Sequence, residues 1–171
     1  PVVAAAVVLP VNFDMPEVRD SKKLSEKKRN DLYKTIIDHA LSFGIGVVHE
    51  RKIDEINILN ATYEAMKQAI GGISIKPHLF LIDGNPVPFS HIKHRNIIQG
   101  DNKSLSIASA SILAKVVRDD LMKRYSKVYP YYGFEKHKGY GTKNHLEILK
   151  TLWATPIHRQ SFKPVKSFLP G

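Results

Sequence analysis

Phe80-Leu81-Ile82-Asp83-Gly84-Asn85 is an apolar run that stops on a carboxylate, and Asn96-Ile97-Ile98-Gln99-Gly100-Asp101 is a second. A short apolar run bounded by turn residues reads as a strand. A strand that ends on an acid delivers that acid to the rim of its sheet. Residues 78–82 and 95–99 are therefore expected as two strands. Upstream, residues 2–9 form a continuous β-branched and alanine run, which predicts a strand buried on both faces. Residues 10–23 read as a charged loop. Ser25 is placed to cap a helix, with Glu26 in the first turn where negative charge is favoured. Leu32, Ile36, Ile37, Ala40 and Leu41 recur at helical spacing, and Gly44 reads as the C-cap.

Farther along, residues 45–49 predict a short strand. Residues 54–70 predict a second helix, with Ile58, Ala61, Ala65 and Met66 inward and Gly71-Gly72 ending it. Residues 104–125 predict the longest helix, whose first half, Ser106-Ile107-Ala108-Ser109-Ala110-Ser111, permits close backbone approach. An aromatic loop at 129–134, a last helix at 143–153 and a basic, proline-bearing tail follow. Strands alternating with helices indicate an α/β domain.

The chain has 171 residues, enough for one domain with a real core. Hydrophobic residues make up 43% and charged residues 25%, a globular composition. Lys and Arg total 26 against 16 Asp and Glu, a net charge of +10 that favours phosphate backbones or anionic surfaces. No apolar stretch approaches the roughly 20 residues that span a bilayer, so no membrane association is expected. Residues 1–9 lack a basic leader and read as a strand, not a signal peptide. The absence of cysteine excludes disulfides and thiolate metal sites, and is compatible with a reducing, cytoplasmic setting.

Two strand-end acids brought together make an oxygen-ligand pocket for a hard divalent cation. In a chain of this charge, the natural reading of Asp83 and Asp101 is metal-assisted cleavage of a nucleic-acid backbone. Asp-Gly-Asn is also good turn chemistry, and Gly-Asp-Asn before a helix also suits a cap, so both structural readings stand beside the catalytic one. Asp119 and Asp120 read as a solvated or ion-paired helix face. Eight histidines, His91 and His94 among them, do not make a zinc site without cysteines or a His-Glu-x-x-His motif. His137 and His145 flank Tyr140, within reach of phosphate or simply on the surface. Lys22, Lys23, Lys27, Lys28 and Arg29 open the first helix, Lys136, Lys138 and Lys143 surround Tyr140, and His158, Arg159, Lys163 and Lys166 lie in the tail. Basic residues mixed with aromatics suit a sugar-phosphate track with a stacking platform.

Several blocks, in order along nearly the whole chain, resemble bacterial ribonuclease HII, the type 2 ribonuclease H. They are Asp20-Ser21-Lys22-Lys23-Leu24-Ser25, Leu81-Ile82-Asp83-Gly84-Asn85 and Gly100-Asp101. Three more follow: Ser109-Ala110-Ser111-Ile112-Leu113-Ala114-Lys115-Val116-Val117-Arg118-Asp119, Tyr132-Gly133-Phe134-Glu135-Lys136-His137-Lys138-Gly139-Tyr140, and His158-Arg159-x-Ser161-Phe162.

The resemblance implies a single ribonuclease H-like domain: a mixed α/β sheet flanked by helices, with a C-terminal helical extension. It implies an endonuclease that cleaves the RNA strand of RNA–DNA hybrids and incises 5′ of single ribonucleotides in duplex DNA, leaving 3′-hydroxyl and 5′-phosphate ends. It implies a two-metal site for magnesium or manganese, with Asp83 and Asp101 as two of four acidic ligands. Tyr140 matches a tyrosine that packs on the sugar beside the scissile position, and Lys22 a lysine of the substrate-side loop. The implied partner is nucleic acid, and the protein is expected to be a monomer.

The sequence departs from the family in one place. The family's first strand carries an Asp-Glu pair and a Gly-Arg-Gly motif, whereas this sequence begins just after that region. The expectation is an N-terminally truncated chain, inactive as it stands. A ribonuclease H-like integrase or Holliday-junction resolvase, and a basic nucleic-acid-binding module without turnover, are the alternatives.

Overall fold

The computed structural model describes residues 1–169, apart from the side chains of residues 19–22. Two units divide the chain. One holds Val3–Val47 and Tyr63–Val116; the other holds Pro1–Val2, Val48–Thr62 and the chain from Val117 onward.

In the first of these, β1 (Val2–Val8) is hydrogen-bonded to β2 (Ser42–Val48) in a two-stranded sheet. β1 is half-buried along its whole length, not covered on both faces as its apolar run predicts. A two-stranded sheet leaves one edge of each strand uncovered. The expected helix is present as α1 (Glu26–His39), and the Ser25 side chain accepts the Lys28 amide at 3.2 Å. It ends at Ala40, whose N–H bonds the Ile36 carbonyl at 2.8 Å.

Gly44 is therefore no helix cap. It lies inside β2, and a Cβ there would stand 2.0 Å from the Ala69 carbonyl oxygen. At Gly46 the same atom would stand 1.8 Å from the Ala65 carbonyl oxygen. Both side chains are absent because α2 (Glu50–Gly71) lies directly on the strand. Ala65 and Ala69, both buried, line that contact. The helix starts earlier than the spacing predicts and breaks at Asn57 (φ 67, ψ 167). The break shifts the helical face, so Ile58, expected inward, is 37% exposed.

β3 (Phe80–Asp83) and β4 (His94–Ile97) pair in parallel, with Ile82 opposite Asn96 and Asp83 opposite Ile97. A short α3 (Gly100–Lys103), which the sequence reading does not include, precedes α4 (Leu105–Val128), the helix expected at 104–125. The core of this unit joins Ala108, Ile112, Leu113 and Val116 of α4 to Leu32 and Ile36 of α1. Met15 and Val18 complete it. Val18 lies on a 3-10 helix, Pro16–Lys23, in a stretch the sequence reads as loop.

In the other unit, Tyr132, Phe134, Leu149 and Met122 form the core, built on α5 (Phe134–His137), α6 (Lys143–Leu152) and the C-terminal half of α4. The Asp54 carboxylate accepts from the Gln160 amide at 2.8 Å, the Ser161 amide at 2.9 Å and the Ser161 hydroxyl at 2.5 Å. Burial pushes this carboxyl up, but the Ser161 and Gln160 hydrogen bonds and nearby Arg159 outweigh it and leave the group below its ordinary value. Among the described residues, no helix is long and apolar enough to cross a membrane. The architecture is the expected mixed α/β one, with a helical C-terminal part.

Candidate active site

Asp83 is the last residue of β3 and is exposed. Gly84 follows at φ +92, a backbone region open to glycine, and its N–H bonds the Ile97 carbonyl at 3.0 Å. The strand end is thus tied to β4 on the same rim. β4 then leaves through Gln99 (φ 55) into Gly100, the first residue of α3. The Gly100 N–H donates to Asp83 Oδ1 at 2.7 Å. A Cβ on Gly100 would stand 2.6 Å from Ile107 Cδ1 and 3.2 Å from Asp83 Oδ1, so any larger residue has to push both side chains aside.

Asp101, the next residue, is 8% exposed in the first turn of α3, which packs against β3, β4 and the 3-10 helix Pro16–Lys23. It belongs to a helix, not to the end of a strand. Asp83 Oδ1 is bonded to the amide of Gly100, the residue before Asp101. Carboxylate oxygens are the donors a hard divalent cation takes. Among the described residues, no group of three or more His, Asp or Glu is arranged to hold a metal.

Lys22 lies on the 3-10 helix, and its side chain is outside the described residues. Lys23 at its end, and Lys27 and Lys28 in the first turn of α1, are exposed.

Tyr140 stands in the other unit, in the loop between α5 and α6. It is 60% exposed, with the Arg118 guanidinium 5.3 Å from its ring centroid. Lys136 and Lys143 flank it in solvent, whereas Lys138 is buried and bonds the Glu135 carbonyl, so it adds nothing to a basic surface. Asp119 is buried and Asp120 exposed.

The histidines near Tyr140 are buried, not surface residues: His137 is 8% exposed, His145 4% and His158 6%. His137 and His145 stack with centroids 4.1 Å apart. Burial, then the neighbouring histidines, lowers His158 to about 4. Burial also lowers His145, against the opposing Tyr140 carbonyl bond. Beside them lies a cavity of about 320 Å³ whose polar lining includes Arg118, Arg159 and Lys163. Arg118 and Arg159 both donate to the Pro1 carbonyl at 3.3 Å. Sequence reasoning missed this cluster because its members lie apart along the chain and no spacing rule joins them.

A family model described as Ribonuclease HII matches residues 1–165. The ribonuclease HII of Pediococcus pentosaceus is 53% identical over 169 residues, which is 99% of this chain and 66% of that protein. The chain thus spans just under two thirds of that relative's length. Among solved structures, the ribonuclease H2 of Pyrococcus horikoshii OT3 aligns with a TM-score of 0.73 at 23% identity, covering 88% of this chain and 79% of that one. Bst-RNase HIII in complex with Mn2+ aligns at 0.58 and 15% identity, covering 88% and 56%. At those identities the structural likeness shows the fold alone.

Proposed function

This chain belongs to the ribonuclease HII family, and on that premise we propose that the whole protein is an endonuclease cleaving the RNA strand of RNA–DNA hybrids. It also incises 5′ of single ribonucleotides in duplex DNA, leaving 3′-hydroxyl and 5′-phosphate ends, as the first step of ribonucleotide excision repair. It acts as a monomer in the cytoplasm.

The observation that carries this reading is the 2.7 Å bond from the Gly100 amide to Asp83, beside buried Asp101. Asp83 and Asp101 hold divalent magnesium or manganese, which when bound supplies water activation and neutralises charge developing at the phosphodiester. The Mn2+ complex of Bst-RNase HIII, a protein of like fold, supports the use of a divalent metal. Gly100 fixes one carboxylate oxygen of Asp83 and leaves the other free to turn toward the rim. Exposed Lys23, Lys27 and Lys28 place the phosphate backbone, with Lys22 on the same segment. The exposed Tyr140 ring packs on the ribose at the RNA-to-DNA junction, where the 2′-hydroxyl distinguishes RNA from DNA.

An end-labelled hybrid, a duplex with one embedded ribonucleotide and a four-way junction test this reading in magnesium, in manganese and in chelator. Metal-dependent cleavage of the first two supports it. Cleavage of the junction alone, or binding of all three without turnover, overturns it.

A further inference from the structure

The imidazoles beside Tyr140 make a chain whose protons have only one consistent arrangement. The Thr155 backbone N–H points at His158 Nδ1 at 2.9 Å. An amide can only donate, so His158 Nδ1 carries the lone pair and its proton sits on Nε2. That Nε2 faces His145 Nε2 at 3.0 Å, which must therefore accept. The His145 proton is then on Nδ1, which lies 2.9 Å from the Tyr140 carbonyl and donates to it. His137 is fixed in the same way. Its Nδ1 accepts the Gly139 amide at 3.1 Å, so Nε2 donates to the Tyr132 carbonyl at 2.6 Å.

The target of this chain is the Tyr140 backbone. Its N–H bonds the His137 carbonyl at 2.9 Å, and its carbonyl also accepts the Thr142 amide at 2.8 Å. Thr142 in turn caps α6, its hydroxyl accepting the His145 amide at 3.2 Å. We propose that His145 and His158 are positioning residues, a tautomer-locked pair that fixes the Tyr140 backbone and so sets where its exposed ring meets the substrate ribose. The inference rests on the reading of Tyr140 as the sugar-packing residue.

The arrangement works only while both rings are neutral. A proton added to His145 sets two N–H groups against each other across 3.0 Å unless the His158 proton moves from Nε2 to Nδ1, where it opposes the Thr155 amide and has the Thr155 hydroxyl oxygen at 2.8 Å as acceptor. A proton added to His158 Nδ1 displaces the Thr155 amide bond at 2.9 Å and leaves the Thr155 hydroxyl oxygen at 2.8 Å to accept it. The surroundings oppose such a proton. Stacked His137 and the hydroxyl-bearing Tyr132 are the titratable neighbours, and the adjoining cavity presents Arg118, Arg159 and Lys163. Among the described residues, no carboxylate lines that cavity.

Two measurements on the whole protein test the proposal. Long-range 15N NMR of the imidazoles should find His158 protonated on Nε2 and His145 on Nδ1, both neutral at pH 6. The opposite tautomer in either ring, or titration of either at an ordinary value near 6.5, overturns it.

The second is kinetic. His158→Leu should slow incision at a single embedded ribonucleotide roughly ten- to hundredfold more than cleavage of a continuous hybrid. It should add nothing to the loss caused by Tyr140→Ala, and His158→Gln, which keeps an acceptor and a donor, should recover much of the rate. Equal losses on both substrates, or losses that add to those of Tyr140→Ala, reduce the pair to a structural role and overturn the proposal. If the unaltered protein cleaves neither substrate, the nuclease reading fails, and the NMR result alone decides the pair.

Discussion

Gly100 donates its amide N–H to the Asp83 carboxylate across 2.7 Å, tying the end of β3 to the start of α3. The bond ties the Asp83 carboxylate to the residue before Asp101, where a Cβ would crowd Ile107 and Asp83 itself.

Gly100→Ala should break that tie. The new methyl meets Ile107 Cδ1 at 2.6 Å and Asp83 Oδ1 at 3.2 Å, so the side chain and the carboxylate must both move. Urea unfolding should register a loss of about 1–3 kcal/mol, and metal-dependent cleavage should fall further than stability alone explains. An alanine variant with unchanged stability and rate would show that the approach is not constrained.

Gly46→Ala should be costlier, because the atom it meets at 1.8 Å is the backbone carbonyl of Ala65 and cannot swing aside. We expect about 3 kcal/mol or more by the same measurement, with α2 displaced from β2.

Asp54→Ala removes the acceptor of three hydrogen bonds from Gln160 and Ser161. The expected cost is about 1–2 kcal/mol, since the site is partly in solvent. Amide exchange at 160 and 161 should quicken, which distinguishes local release from global loss.

The histidine pair gives a pH dependence with a defined sign. His158 is held down to about 4 by burial and by His145. Folding therefore favours the neutral ring, and the unfolded chain binds the extra proton below about 6.5. The contribution is complete above that pH and is lost as pH falls from about 6.5 toward 4. Melting temperature should fall through that window, and less steeply in His158→Gln. A flat profile in the unaltered protein would contradict the buried neutral pair.

What the sequence disclosed was local chemistry. Ser25 caps α1 as its side chain dictates, and the run ending at Asp83 is a strand that delivers its acid to the rim. What it concealed depends on contacts between distant segments. Gly44 follows a helical run and reads as a cap, yet it is a strand residue whose missing side chain admits the backbone of Ala69. Asp101 reads as a strand end, but the left-handed Gln99 turns the chain into a helix one residue earlier. His137 and His145 read as isolated residues because the partner that completes their cluster, His158, comes from another segment, with Thr155 fixing its proton.

The central claim is that Asp83 and Asp101 form a divalent-metal site for phosphodiester cleavage. Its most direct test is cleavage of an end-labelled RNA–DNA hybrid by the whole protein in magnesium, with hybrid binding measured on the same samples. The account predicts that Asp83→Asn and Asp101→Asn each lower cleavage about a thousandfold or more while leaving hybrid binding within a few-fold. Turnover in magnesium near the unaltered rate by either variant would contradict it.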